Sequence, residues 1–294
     1  MTIRGSESRP IQINTLGRFD IVLEGAPLRF VSKAPRKVLA VLKGLLCAGG
    51  RAVSQGTLQD ALWPQADPWL ARRALSTTVY RLRQLLHHKE AVSLNDGWLM
   101  LEPALCWVDA WEFEQALAEP QDLTVLPAVL RLYGGMFLSE ADHPLAFETR
   151  ERLRRKFIQG VLQLGQAYER TGEIGSAIAL YERALDMDCT PEDVHRSLMR
   201  CLAREGKPAA VAAAYLRCRT TLWRHFATRP SPATEQLYRE TCVRPATQPT
   251  ISVRAVTVTL PVGRRARSAG CSAGIGYDRG VGVGVSAAAD EGPG

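Results

Sequence analysis

Across residues 160–224 the chain matches itself at a single offset. Leu164 pairs with Leu198, Arg170 with Arg204, Gly172 with Gly206, Ala179 with Ala213, Tyr181 with Tyr215 and Arg183 with Arg217, each 34 residues apart. A period of this length marks a repeat of two helices joined by a short turn. The turn falls at Gly172 and Gly206, where helix C-termini favour glycine, and Tyr181 and Tyr215 take the same place on the second helix of each unit. Two units cannot bury a stable core by themselves. Helices around residues 126–133 and after Pro230 are therefore expected to cap the stack.

The period is that of the tetratricopeptide repeat, but the N-terminal third follows other rules. Ile11-Gln12-Ile13-Asn14 and Ile21-Val22-Leu23 are short alternating or β-branched runs split by Gly17, with a further turn read at Gly25-Ala26-Pro27. From Pro35 the period becomes helical, with Val38, Leu39, Val41, Leu42, Leu45 and Leu46 on one face and a stop at Gly49-Gly50. A second helix is expected after Ser54 and ends at Trp63-Pro64. A third is capped by Asp67, carries Pro68 in its first turn and buries Leu75, Val79, Leu82 and Leu86. Two strands around Asn95-Asp96-Gly97 follow, with Trp98 expected to pack.

Sheet, three helices and a terminal hairpin give the winged-helix order. The expected fold is thus mainly α with a small α+β part: an N-terminal winged helix-turn-helix at 10–109, an all-α tetratricopeptide-like domain at 110–243, and a disordered Gly/Ala/Val-rich tail at 244–294. The length of 294 residues suits two domains with separate cores.

Charge separates the two halves. Residues 29–89 hold eleven Lys/Arg against Asp60 and Asp67, a net +9, whereas residues 110–242 hold 17 basic and 18 acidic groups. The basic half suits a polyanion. With its inner face set by Leu75 and Val79, the third helix presents Arg73, Thr77, Tyr80, Arg81 and Gln84 outward, with Arg72, Ser76 and Arg83 on its flanks. Guanidinium forks, hydroxyls and an amide suit base edges and phosphates in a major groove. Arg72, Arg73, Ser76, Thr77, Tyr80, Arg81 and Gln84 are the groove-facing candidates. Lys33, Arg36 and Lys37 at the start of the first helix, with Arg83, are the phosphate candidates. Asn95 and Gly97 are the wing candidates.

The stretch Arg73-Ala74-Leu75 through Val79-Tyr80-Arg81-Leu82-Arg83-Gln84-Leu85-Leu86 resembles the recognition helix of OmpR-like winged helices in SARP-type antibiotic regulatory proteins. The continuation resembles the bacterial transcriptional activator domain (BTAD). Its carrying segments are Val108-Asp109-Ala110-Trp111-Glu112-Phe113, Leu132-Tyr133-Gly134-Gly135-Met136-Phe137-Leu138, Glu151-Arg152-Leu153-Arg154, Leu198-Met199-Arg200-Cys201, Tyr215-Leu216-Arg217-Cys218-Arg219 and Pro230-Ser231-Pro232-Ala233-Thr234-Glu235. The resemblance covers about residues 10–242. It implies a regulator, usually an activator, that binds repeated promoter sites on double-stranded DNA and contacts RNA polymerase; the near-neutral charge of the helical half and its repeat point to dimerisation or partner contact there. These 294 residues hold no ATPase module and no receiver domain, so control by ATP or phosphorylation is not expected.

Catalysis is not expected either. His-Glu-x-x-His and Gly-x-x-x-x-Gly-Lys are absent, and neither a metal site nor a cofactor is read. Seven cysteines without metal or pairing spacing read as reduced core filler. Arg150-Glu151-Arg152-Leu153-Arg154-Arg155-Lys156 reads as an exposed face with i, i+4 pairing. No apolar run approaches the ~20 residues of a membrane helix, and Met1–Pro10 lacks the apolar centre of a signal peptide. The expected location is cytoplasmic, nucleoid-associated when bound. The alternative is a tetratricopeptide-type protein-interaction scaffold whose basic domain binds nucleic acid without specificity. Phe19 and Phe30 alone offer too few stacking platforms for single-stranded RNA.

Overall fold

The computed structural model describes residues 9–30, 34–118, 123–139, 143–188 and 190–242. Lys33 and the tail at 244–294 lie outside the described residues.

Strands β1 (Ile11–Asn14) and β2 (Asp20–Leu23) pair antiparallel, Ile11 opposite Leu23, and bury Ile11, Ile13, Ile21 and Leu23 on one face. Of the three residues read as the next turn, Ala26 and Pro27 instead form strand β3 (Ala26–Pro27), with Leu23 opposite Ala26. Glu24 and Gly25, at φ 49° and 83°, close the hairpin as a two-residue turn. Pro27 lacks an N–H, which suits its edge position.

Helices α1 (Arg36–Cys47), α2 (Gln55–Leu62) and α3 (Pro68–Leu85) follow. Ser54 caps α2 by accepting from the Thr57 amide at 3.0 Å. The wing is β5 (Val92–Asn95) and β6 (Trp98–Leu101), joined to the short β4 (Val53–Ser54) in the order β4-β6-β5. Asp96 and Gly97, at φ 47° and 84°, turn the hairpin. Between the three helices and the wing lie Leu42, Leu58, Leu75, Leu82, Leu86 and Leu99, each at most 1% exposed.

A strand that the sequence did not announce, β7 (Cys106–Val108), runs parallel to β1 and completes the order β3-β2-β1-β7. Helix α4 (Asp109–Ala116) starts directly from it, so the all-α half grows out of the first sheet. Tyr133, just after α5 (Leu126–Leu132), stacks on Phe157 at 4.2 Å and touches Phe113 at 5.5 Å. The next residues close back on β1. Leu138 N donates to Thr15 O at 2.8 Å and Gly17 N to Met136 O at 3.1 Å, while a Cβ on Gly134 would lie 2.9 Å from Leu16 O. Thr149 Oγ1 donates to Cys47 O at 2.9 Å, and His143 Nε2 bonds Ala40 O at 2.9 Å. Because His143 Nδ1 accepts from Leu145 N, Nε2 carries the proton, and burial holds the His143 pKa below the ordinary value. One apolar core runs unbroken through both halves.

Helices α6 (Ala146–Thr171) and α7 (Ile174–Met187) form the first repeat unit, α8 (Glu192–Arg204) and α9 (Pro208–Phe226) the second, and α10 (Pro232–Cys242) packs on α8 and α9 as a cap. Gly172 and Gly206 make the expected turns at φ 83° and 70°. Tyr181 is fully buried, and Tyr215 stacks on Tyr238 of α10 at 4.1 Å.

The basic run on α6 is only in part the self-paired exposed face that its sequence suggests: Arg154 does pair with Glu151 and Arg155 is exposed, but the other partners lie elsewhere. Arg150 donates to Phe137 O and Leu138 O at 2.9 and 2.7 Å, Arg152 donates to Glu114 at 2.8 Å, and Arg154 pairs with Asp188 and bonds Thr190. These arginines tie α6 to three other segments. Burial raises the Asp188 pKa, but Thr190 and the Arg154 guanidinium outweigh it and hold the carboxyl below 3.8. A depressed carboxyl contributes stability above its unfolded pKa and loses it as pH falls through the folded value. Thermal melts should therefore fall off below about pH 4, with a shallower acid limb in Asp188→Asn. An identical acid limb in that variant would contradict the assignment.

Candidate nucleic-acid interface

The carboxylate of Asp67 accepts from the amides of Trp69 and Leu70 at 2.9 and 3.4 Å, and Pro68 fixes the first turn of α3. Ala71, Leu75, Thr78, Val79 and Leu82 then face inward. Helical geometry sends Arg72, Arg73, Ser76, Thr77, Tyr80, Arg81 and Gln84 outward, and all seven are exposed. No acidic residue lies on α3, and Arg72, Arg73 and Arg81 make no ion pair among the described residues. Unpaired guanidinium forks on one helical face can grip phosphate or guanine.

The hydroxyls have a defined polarity. Ser76 Oγ donates to Arg72 O and Thr77 Oγ1 to Arg73 O, both at 3.0 Å. Their outward lone pairs can accept from an adenine or cytosine amino group, while the Thr77 methyl can meet a thymine methyl. Arg73 lies 5.6 Å over the exposed ring of Trp69, which restrains its fork.

Lys37 joins this surface from α1. Its ammonium donates to Leu62 O at 2.8 Å, at the C-terminus of α2, and sits 5.1 Å over the Trp63 ring. Two of its N–H groups remain available. Lys37, Arg73, Thr77 and Arg81 share one open cleft of about 470 Å³ with Trp63 and Leu70. Arg36 is exposed in the first turn of α1, whose cap residue, Pro35, has no capping side chain. Among the described residues no side chain caps the first amides of α1, and such a helix start attracts an anion.

Three placements depart from the sequence reading. Arg83 is turned inward, donating Nε and Nη2 to Val92 O at 2.9 and 2.7 Å, so it fastens α3 to the wing rather than reaching for phosphate. In the wing turn, Asn95 and Gly97 are exposed, but Gly97 O accepts from Gln55 N at 2.9 Å and so also anchors α2. Trp98 is 53% exposed rather than packed. It lies opposite Asn95 on β6, and strand alternation buries its neighbour Leu99 instead. Trp63 and Leu70, which line the cleft, were not singled out in the sequence; their spacing around Pro64 and Asp67 carries no local signal.

Among the described residues no group of three or more His, Cys, Asp or Glu could hold a metal, and no helix is long and apolar enough to cross a membrane.

Residues 108–241 match the family described as the bacterial transcriptional activator domain. The chain is 28% identical over 232 residues to the regulatory protein AfsR of Streptomyces griseus, a match spanning 71% of this chain and 23% of that protein. It is 28% identical over 246 residues to AfsR of Streptomyces coelicolor, spanning 79% and 24%. The chain thus spans about a quarter of the length of the curated relatives it matches. The solved structure of Mycobacterium tuberculosis EmbR in complex with a low-affinity phosphopeptide shares the fold. Its TM-score is 0.60 at 21% identity, covering 80% of this chain and 65% of that one.

Proposed function

We propose that the chain is a SARP-type regulator carrying a bacterial transcriptional activator domain, and that it reads a specific double-stranded DNA site with α3 in the major groove. One observation carries the reading: Arg73, Thr77 and Arg81 from α3 and Lys37 from α1 converge on a single cleft, and no acid on α3 answers its arginines. Arg72, Ser76, Tyr80 and Gln84 extend the same face. Arg36, Lys37 and the α1 amides take phosphate; Asn95 and the wing tip lie along the backbone. The division of labour falls at residues 109 and 110, with the first part gripping DNA and 110–243 meeting protein, either RNA polymerase or a second copy. Activation at repeated promoter sites, in the cytoplasm, is the role that the family likeness supports.

Base readout and backbone positioning give separable outcomes. Arg73→Ala or Thr77→Ala should weaken binding to a genomically selected site by about 1–3 kcal/mol and leave non-specific DNA binding nearly unchanged. Equal affinity of variant and parent for the selected site would sink the assignment of this face. Lys37→Ala should instead lower affinity on every sequence and flatten the slope of log K against log salt by about one unit. If Lys37→Ala changed sequence preference, it would belong to readout. A parent protein that binds all duplexes alike would favour the scaffold with a non-specific basic domain.

A further inference from the structure

The face of α9 directly opposite its buried side is apolar. Ala209, Ala213, Leu216, Thr220 and Trp223 follow alternating steps of four and three, the spacing of a helix-packing seam, and all five are exposed. Single exposed apolar residues are ordinary. Here the two large ones, Leu216 at 47% and Trp223 at 63%, share one strip with only small residues between them. Small side chains let a second helix approach closely, and the large pair gives it anchors.

The flanks say what kind of helix. No acidic residue occurs in the 19 residues of α9, and Arg219 and Arg224 border the strip on opposite sides. Neither makes an ion pair among the described residues, nor does Arg229. At the C-terminal end of the strip, Arg219, Trp223, Arg224, Thr228 and Arg229 line a cleft of about 650 Å³. Its one carboxylate, Glu235, is already engaged by the Tyr215 hydroxyl at 2.7 Å. A second copy of α9 laid on this face would set arginines against arginines, which disfavours a symmetric pairing.

We propose that this face of α9 docks an acidic amphipathic helix of a partner protein, its apolar stripe on Leu216 and Trp223 and its carboxylates on Arg219, Arg224 and Arg229. The proposal deepens the protein-contact role given above to residues 110–243 and rests on it.

The probe is a labelled synthetic helix of roughly 20 residues, long enough to cover α9, with a leucine seam flanked by glutamates; a second version carries lysines instead. Fluorescence anisotropy with the full chain should show binding of the glutamate peptide and none of the lysine peptide. Trp223→Ala should weaken it by about tenfold or more, and the Arg219→Glu/Arg224→Glu double variant should abolish it, with melting curves unchanged. Equal binding of both peptides, or indifference to the variants, overturns the proposal. So does concentration-dependent dimerisation that Trp223→Ala removes, which would make a second copy the occupant. A loss of duplex affinity in the double variant would make the occupant nucleic acid. Operator binding measured on the same preparations separates the two readings. A chain that binds its operator but not the peptide defeats this inference alone; one that binds the peptide but no operator defeats the DNA reading alone.

Discussion

Tyr181→Ala is expected to lower stability by about 3–5 kcal/mol, the range for removing a large aromatic ring from a packed core. Tyr181 has no exposed surface and lies against α6 at Gly165, where even an added Cβ would collide with the Tyr181 hydroxyl and ring. The gap left by alanine cannot close cheaply, because α7 is held between α6 and α8. For a unit of this size the melting midpoint should drop by on the order of 10 °C. Tyr181→Phe separates ring from hydroxyl. It keeps the packing, loses the hydroxyl's bonds to Glu169, at 2.8 Å, and to Ser197, and should cost about 1 kcal/mol. If the alanine variant melted with the parent, Tyr181 would not be the centre of the repeat.

The residues behind that prediction were visible in the sequence because their causes are local. A glycine that ends one helix, a tyrosine on the next and the same pair 34 residues later need no knowledge of the rest of the fold. The α3 face was legible for the same reason, since a cap, Pro68 and an apolar period determine which side chains turn outward. What stayed hidden depends on partners far along the chain. β7 is three residues long and gains its meaning only beside β1, more than ninety positions earlier. Arg83 looked like its free neighbours until the wing brought Val92 O to it. The arginines of α6 showed plausible i, i+4 partners, yet Glu114, Asp188 and the carbonyls of 137 and 138 took them. Trp98 fails differently. Strand alternation decides its face, and a hydrophobicity count alone sends it inward.

The hidden strand leads to the second large effect. Asp109, 5% exposed, begins α4 where β7 ends, and every neighbour of its carboxylate is a donor. Oδ1 accepts from Thr15 N at 2.8 Å, Thr15 Oγ1 at 2.6 Å and Ala110 N at 2.7 Å; Oδ2 accepts from Leu16 N at 2.9 Å. Burial raises the Asp109 pKa against the pull of these bonds, so the site depends on donors that only an oxygen can satisfy. Asp109→Ala leaves them buried without partners, and a loss of about 3–5 kcal/mol follows. Asparagine is no rescue here. Its amide would set N–H against N–H at Leu16 or Thr15, so Asp109→Asn should approach the cost of alanine, whereas at a solvated carboxylate the same change would be nearly silent. The loss should also reach DNA binding, because Thr15 and Leu16 are the residues through which the segment after α5 closes on the first sheet. Chemical denaturation followed at once by helix content and by duplex binding checks both points. An Asp109→Asn protein as stable as its parent would show that water or a shifted backbone, rather than this carboxylate, satisfies the junction.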